Sequence, residues 1–212
     1  MNVLLAGQKR FGREVLELIL ARRGWRVVAA SCPPTRRDGS ADPLWCAVER
    51  HRIPWIAPGN LRANAVPEGT DLIVAAHCHD YLGRATRLRA RLGAVGYHPS
   101  LLPRHRGRSA VHWAIQMREP VTGGSIYWLN ETVDGGPVAA QRHVQIGKGE
   151  TASKLWAEKL LPLGLELFTE VFDALDRGEL PATPQDTSLA TWEPAYEGAP
   201  ALYRPELPMI GG

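Results

Sequence analysis

An imidazole and a carboxylate brought together can move protons, and His98 and Asp134 are a candidate pair for doing so. His98 lies in Gly96-Tyr97-His98-Pro99-Ser100-Leu101-Leu102-Pro103-Arg104-His105-Arg106-Gly107, just past an apolar run and just before a proline that breaks regular structure. A lone histidine there is more often structural than catalytic. Asp134 lies 36 residues on, in Val133-Asp134-Gly135-Gly136-Pro137-Val138-Ala139-Ala140-Gln141, a glycine-rich stretch that can bring a carboxylate close to another loop. A carboxylate beside an imidazole orients the ring and raises its affinity for a proton, so the pair is a candidate proton-transfer dyad.

Positioning that pair falls to an α/β scaffold. Val3 to Gly7 and Arg26 to Ala30 read as buried strands separated by a helix carrying Phe11, Val15, Leu18 and Ile19 and stopped at Gly24, a βαβ unit that implies parallel pairing. Helices are expected over Leu44 to Arg52, Arg84 to Leu92 and Ser109 to Met117. Strands are expected at Trp55-Ile56, Asp71 to Ala76, Ala94 to Tyr97, Thr122 to Leu129 and Pro137 to Ile146. From Thr151 the leucine spacing predicts one long helix ending at Gly178, kinked at Pro162. Residues 181–212 hold six of the seventeen prolines and read as an irregular tail, packed on the surface or partly mobile. The expected division is a catalytic domain over 1–180 and a proline-rich tail over 181–212.

The 212 residues are enough to bury roughly 70% of the unfolded surface. The 44% hydrophobic and 22% charged content is ordinary for a globular chain and excludes a disordered one. A net charge of +3 lacks the strong basic field of a dedicated nucleic-acid binder. Cys32, Cys46 and Cys78 form neither an even set nor a C-x-x-C pair, so three small buried thiols in a reducing compartment are expected. Neither a signal peptide nor a membrane span is visible, and the expected location is the cytoplasm.

Three further motifs invite chemistry. Gly7-Gln8-Lys9-Arg10-Phe11-Gly12 has Lys9 where a dinucleotide fingerprint needs its second glycine, so a tight turn with close helix packing is the better reading. His77-Cys78-His79-Asp80 follows a strand, but neighbours on alternating faces do not converge on one ion; His79 and Asp80 are left to line a small-molecule crevice. The run Arg104-His105-Arg106-Gly107-Arg108 is either a solvated face or a site where forked guanidinium groups hold a carboxylate or phosphate.

Together these segments resemble the formyltransferase family that uses 10-formyltetrahydrofolate, in which His-Pro-Ser-Leu-Leu-Pro, a nearby Arg-Gly and a distant Asp-x-Gly-x-(Ile/Val)-x-x-Gln surround the active site. The likeness is strongest to the amino-terminal hydrolase domain of 10-formyltetrahydrofolate dehydrogenases, through Gly7-Gln8, Phe11-Gly12, Glu14-Val15, Asp38-Gly39, Ala41-Asp42-Pro43-Leu44, the Tyr97 to Gly107 run and Gly123-Gly124, with a fainter echo at Tyr196-Glu197-Gly198. It extends over about residues 1–180.

The resemblance implies a Rossmann-like formyltransferase fold, a mostly parallel sheet flanked by helices with a long carboxy-terminal helix. It implies catalysis by His98 and Asp134, a pterin slot formed by Asp80, Tyr81 and Leu82 with Asn130, Glu131, Thr132 and Val133, and substrate contacts from Ser100, Arg104, Arg106, Gly107 and Arg108. The implied formyl donor is 10-formyltetrahydrofolate with no metal, the implied partner a small amine acceptor, and a homo-oligomer is compatible with it. Hydrolysis to formate and tetrahydrofolate, or folate binding without turnover, are the other readings. Two departures stand out: Gly96 occupies a place where most of the family has Asn, and the 32 residues after Leu180 are too few for the tRNA-binding barrel of methionyl-tRNA formyltransferases, which argues against tRNA as acceptor.

Overall fold

Val3 to Ala6 are apolar without alternation, as a strand covered on both faces requires, and they form the middle of β1 (Asn2–Gly7). A computed structural model describes residues 1–196 of the chain. After β1 come α1 (Lys9–Leu20), β2 (Arg26–Ser31), α2 (Pro43–Arg50), β3 (Trp55–Ile56), β4 (Leu72–Ala76), α3 (Arg84–Arg87), β5 (Ala94–His98), α4 (Ala110–Gln116), β6 (Val121–Trp128) and β7 (Val138–Gln145). One seven-stranded sheet has the order β3-β2-β1-β4-β5-β6-β7. Pairing is parallel from β3 to β5, whereas β6 and β7 are antiparallel additions.

Alternation along the central strands supplies both faces. Leu72 and Val74 join one core with Phe11, Val15, Ile19, Phe168 and Phe172, while Ile73 joins Leu4, Ala6 and Leu82 on the other side. Gly7 and Gly12 serve close packing: a Cβ on Gly7 would lie 2.1 Å from Ala76 O, and one on Gly12 2.9 Å from Leu44 Cδ2. Asp42, fully buried, caps α2 by accepting from Leu44 N–H at 2.8 Å and holds the start of α1 by accepting from Lys9 N–H.

One element departs from expectation. The helix from Arg84 ends at Arg87, because the chain must turn back through three-residue bonds from Arg89 and Ala90 to deliver Leu92 N–H to Asp71 O and enter β5. The long helix is Ala152–Leu155 (α5), a wide π turn over Trp156–Leu160, then Leu161–Asp176 (α6). Pro162 sits at the start of α6, so the irregularity falls just upstream of the residue that lacks an N–H. Tyr97 OH donates to Leu160 O at 2.7 Å inside that turn, tying the helix to the strand that ends at His98. All three cysteines are free, but Cys46 is exposed on α2, where Leu44, Ala47 and Val48 form the buried stripe, so only part of the buried-thiol expectation holds.

Candidate active site

His98 is the last residue of β5 and is 6% exposed; Asp134 sits on the loop between β6 and β7 with φ 51°, a left-handed conformation that Asp tolerates better than most residues. Their side chains meet: His98 Nδ1 is 3.6 Å from Asp134 Oδ2. His98 Nε2 lies 2.7 Å from the carbonyl oxygen of His105. A carbonyl only accepts, so Nε2 carries the hydrogen and Nδ1 is the position free to exchange a proton.

Each oxygen of Asp134 has its own donor. Gly107 N–H donates to Oδ2 at 2.7 Å, and Tyr127 OH donates to Oδ1 at 2.6 Å. Tyr127 is the β6 partner of Gly96 in the ladder, and a Cβ at Gly96 would stand 3.1 Å from Leu129 Cδ1 and 3.5 Å from the Tyr127 ring. The space a side chain at 96 would enter is thus taken from the neighbouring strand. Burial, then the Asp134 charge, pushes the Tyr127 hydroxyl well above its usual range, so it stays a donor.

The loop between His98 and Gly107 is braced from beneath. Ser125 Oγ donates to Ser100 O at 2.7 Å and accepts from Leu102 N–H, while Gln141 Nε2 donates to Leu102 O at 3.0 Å and to Ser125 Oγ at 2.8 Å. Gln141, seven residues after Asp134, therefore steadies the histidine loop rather than facing the dyad.

The sequence from residue 57 to residue 171 matches the family described as Formyl transferase. The chain belongs to that family. It is 32% identical over 203 residues to the mitochondrial 10-formyltetrahydrofolate dehydrogenase of Mus musculus, a match covering 91% of this chain and 22% of that protein. The chain thus spans about a fifth of the length of that relative. Its fold is similar to phosphoribosylglycinamide formyltransferase from Bacillus halodurans (TM-score 0.69, 23% identity, 84% of this chain and 97% of that one). It is also similar to an N-formyltransferase from Helicobacter canadensis in complex with folinic acid and dTDP-3-aminofucose (TM-score 0.73, 16% identity, 90% and 70%).

In this family member the two segments expected to flank a pterin lie side by side. Arg87, buried, donates from Nε to Leu82 O at 3.0 Å and from Nη1 to Leu129 O at 2.7 Å, and its Nη2 is 3.2 Å from Glu131. Tyr81 and Val133 are exposed apolar side chains at the rim, Leu82 is buried beneath, Asp80 is engaged by Gly59 N–H, and Asn130 Oδ1 accepts from Thr132 N–H.

The basic run is not one exposed patch. His105 is buried between Glu119 and Glu193, and Arg104 pairs with Glu119. Arg106 is buried and donates to Gln185 Oε1 at 2.7 Å; Ser100, fully buried, donates to Arg104 O at 2.6 Å. These three expected substrate contacts are engaged within the protein: Arg104 and Arg106 by a carboxylate and an amide from other segments, Ser100 by a carbonyl of its own loop. Gly107 contributes through its N–H, and Arg108 is exposed. His77, Cys78 and His79 form no metal cluster: burial pushes the Cys78 thiol up to about 12, and among the described residues no three such side chains are grouped for a metal.

The tail supplies what motif reading missed. Trp128 Nε1 donates to Pro181 O, Val138 and Thr183 exchange backbone bonds at 2.8 Å, and Trp113 Nε1 donates to Pro194 O. Gln185 Nε2 donates to Asp134 O at 2.9 Å and Gly136 O at 2.6 Å, holding the carboxylate loop. Residues 181–196 are an irregular, mostly exposed segment packed on the surface, tied to the carboxylate loop through Gln185; Glu197 and Gly198 lie outside the described residues.

Proposed function

We propose that the chain transfers the formyl group of 10-formyltetrahydrofolate to a small amine. The observation that carries this reading is the 3.6 Å approach of His98 Nδ1 to Asp134 Oδ2 with Nε2 committed to a backbone carbonyl. Family membership supports the reaction class, and the names of the relatives, with folinic acid in one similar structure, support a folate donor.

A formyl group on an aniline-like nitrogen is an activated amide, so geometry, oxyanion stabilisation and proton movement suffice. The amine nitrogen attacks the formyl carbon, and the carbonyl electrons move onto oxygen. Nδ1–H of protonated His98 supports that oxyanion, with Asp134 holding the imidazolium. Collapse re-forms the carbonyl and breaks the bond to the folate nitrogen, which takes a proton from His98 Nδ1 while the attacking amine returns one. The products are a formamide and tetrahydrofolate. Asp80, Tyr81, Leu82 and Asn130 to Val133 are assigned to the pterin, whose ring nitrogens suit the backbone groups of these two loops.

Hydrolysis is the second reading, favoured by one observation: Gly96 offers no side-chain donor, and a Cβ there would stand 3.1 Å from Leu129 Cδ1. The test is incubation of the pure protein with 10-formyltetrahydrofolate, with and without amines, following formate and tetrahydrofolate. Amine-dependent tetrahydrofolate release is the expected result. Formate without an amine would replace transfer by hydrolysis, and saturable folate binding with neither product would leave a binding protein.

A further inference from the structure

The peptide unit that joins His105 to Arg106 is held on both sides. Its N–H, from Arg106, donates to Thr191 O at 3.0 Å, and its carbonyl, from His105, lies 2.7 Å from His98 Nε2. A trans peptide is planar, with N–H and C=O pointing in opposite directions, so a bond that fixes one of them aims the other. Thr191, which follows the long helix, therefore helps to aim the oxygen that meets the histidine at the end of β5.

His105 is anchored at its remaining polar groups as well. Its own N–H donates to Thr191 Oγ1 at 2.8 Å, its Nδ1 is 3.0 Å from Glu193 Oε2, and its Nε2 is 3.1 Å from Glu119 Oε2, in the turn after α4. Ionised carboxylates only accept, so both ring nitrogens carry hydrogen and the ring is a cation. Arg104 pairs with the same Glu119, which sets two cations against two carboxylates around a ring that is 1% exposed. His105 also has a left-handed backbone, φ 54°, uncommon for a residue with a side chain. Such a conformation persists where surrounding contacts over-determine it, and here those contacts come from Glu119, Glu193 and Thr191. Filling space alone would need neither a buried ion cluster nor this backbone, because an apolar side chain covers the same volume without the cost of desolvating charges.

We propose that His105 is a positioning residue: clamped by Glu119, Glu193 and Thr191, it presents its carbonyl to His98 Nε2, keeps a hydrogen on that nitrogen and leaves Nδ1 facing Asp134. Without that carbonyl the single hydrogen of a neutral ring would go to Nδ1, drawn by the Asp134 carboxylate, and Nδ1 could then accept no proton. The segment around residues 191–193 thus acts on the dyad through one peptide. The consequence for turnover rests on the acid-base reading of His98 above; the hold on the ring does not.

The test compares the full chain with Thr191→Val/Glu193→Leu, which removes both side-chain links from this segment to His105, and with Thr191→Ser, which keeps them. The first readout is the exchange rate of the His98 Nε2–H resonance in isotope-labelled protein at neutral pH, assigned by its loss in His98→Ala. The second is steady-state turnover of 10-formyltetrahydrofolate. A slowly exchanging Nε2–H is expected in the native chain and in Thr191→Ser. In the double variant exchange should be at least about tenfold faster and kcat about 10- to 100-fold lower, as a small misplacement of a reacting group produces, with KM for the folate changed less than about twofold. Circular dichroism confirms that each variant is folded, and Thr191→Val alone is the milder variant should the double one not fold, with the same two effects in smaller measure. Equal protection of Nε2–H in the folded variant overturns the proposal, and so does a native chain with no protected Nε2–H at His98. A resonance lost with kcat and KM unchanged would leave the hold on the ring standing and sink the acid-base reading.

Discussion

Tyr127 donates its hydroxyl hydrogen to Asp134 Oδ1 at 2.6 Å, and with Gly107 N–H on Oδ2 it sets the rotation of the carboxylate that faces His98. The ring that carries this hydroxyl would also stand 3.5 Å from a Cβ on Gly96, an ordinary contact, while the tighter approach there, 3.1 Å, is made by Leu129 Cδ1.

Tyr127→Phe removes one oxygen and leaves the packing. A hydrogen bond to a charged group contributes about 1.5–3 kcal/mol, so kcat for formyl release is expected to fall about 10- to 100-fold with KM for the folate little changed. Steady-state kinetics on the folded variant checks this; a matching rise in KM with kcat intact would remove Tyr127 from the positioning of Asp134.

His98→Ala leaves the strand register of β5 and the loops at 80–82 and 130–133 in place. Turnover is expected to drop by about 10²–10⁴-fold, the usual share of a general acid-base, while tetrahydrofolate still binds. Fluorescence titration beside a turnover assay separates the two, and undiminished turnover would exclude the imidazole from the chemistry.

Gln185→Leu strips donors from the carbonyls of Asp134 and Gly136 and the acceptor from Arg106. The cost in stability is expected to be about 1–3 kcal/mol, with a loss of kcat larger than thermal unfolding alone accounts for. Denaturant melts and kinetics on the same preparation decide it.

His105 gives the fold a signed pH dependence. Burial opposes its charge, but Glu119 and Glu193 outweigh that and raise its folded affinity for a proton. Its stabilising contribution is full below the ordinary histidine range near 6.5 and fades as pH rises through the raised folded value. Glu119, held low mainly by His105 and Arg104 against its burial, contributes above the ordinary carboxyl range and fades as acid reaches its lowered value. Stability should therefore decline on the alkaline side, and Glu193→Gln should flatten that decline; equal slopes in thermal melts across pH 6 to 9 would contradict it.

The central strands were legible because a strand covered on both faces shows as an unbroken apolar run, as at Leu72 to Ala76. His98 and Asp134 were legible from residue type and spacing. Tyr127 was not, although a signal exists: it lies seven residues before Asp134 on the strand pairing with β5 and faces Gly96. Gln185 offered none, since a proline-rich segment has no periodicity to say what it touches. The partners of the basic run were hidden for a related reason: charge is visible in a sequence, but Glu119 and Glu193, 15 and 88 residues from Arg104 and His105, are not visibly its partners. The helix from Arg84 was overextended because composition does not show where a chain must reverse to feed the next strand.

Gln185 reaches Asp134 across 51 positions of chain. During synthesis His98 and Asp134 therefore emerge well before the amide that joins the Asp134 and Gly136 carbonyls, and the last brace of the carboxylate loop is supplied only by the segment that follows the long helix.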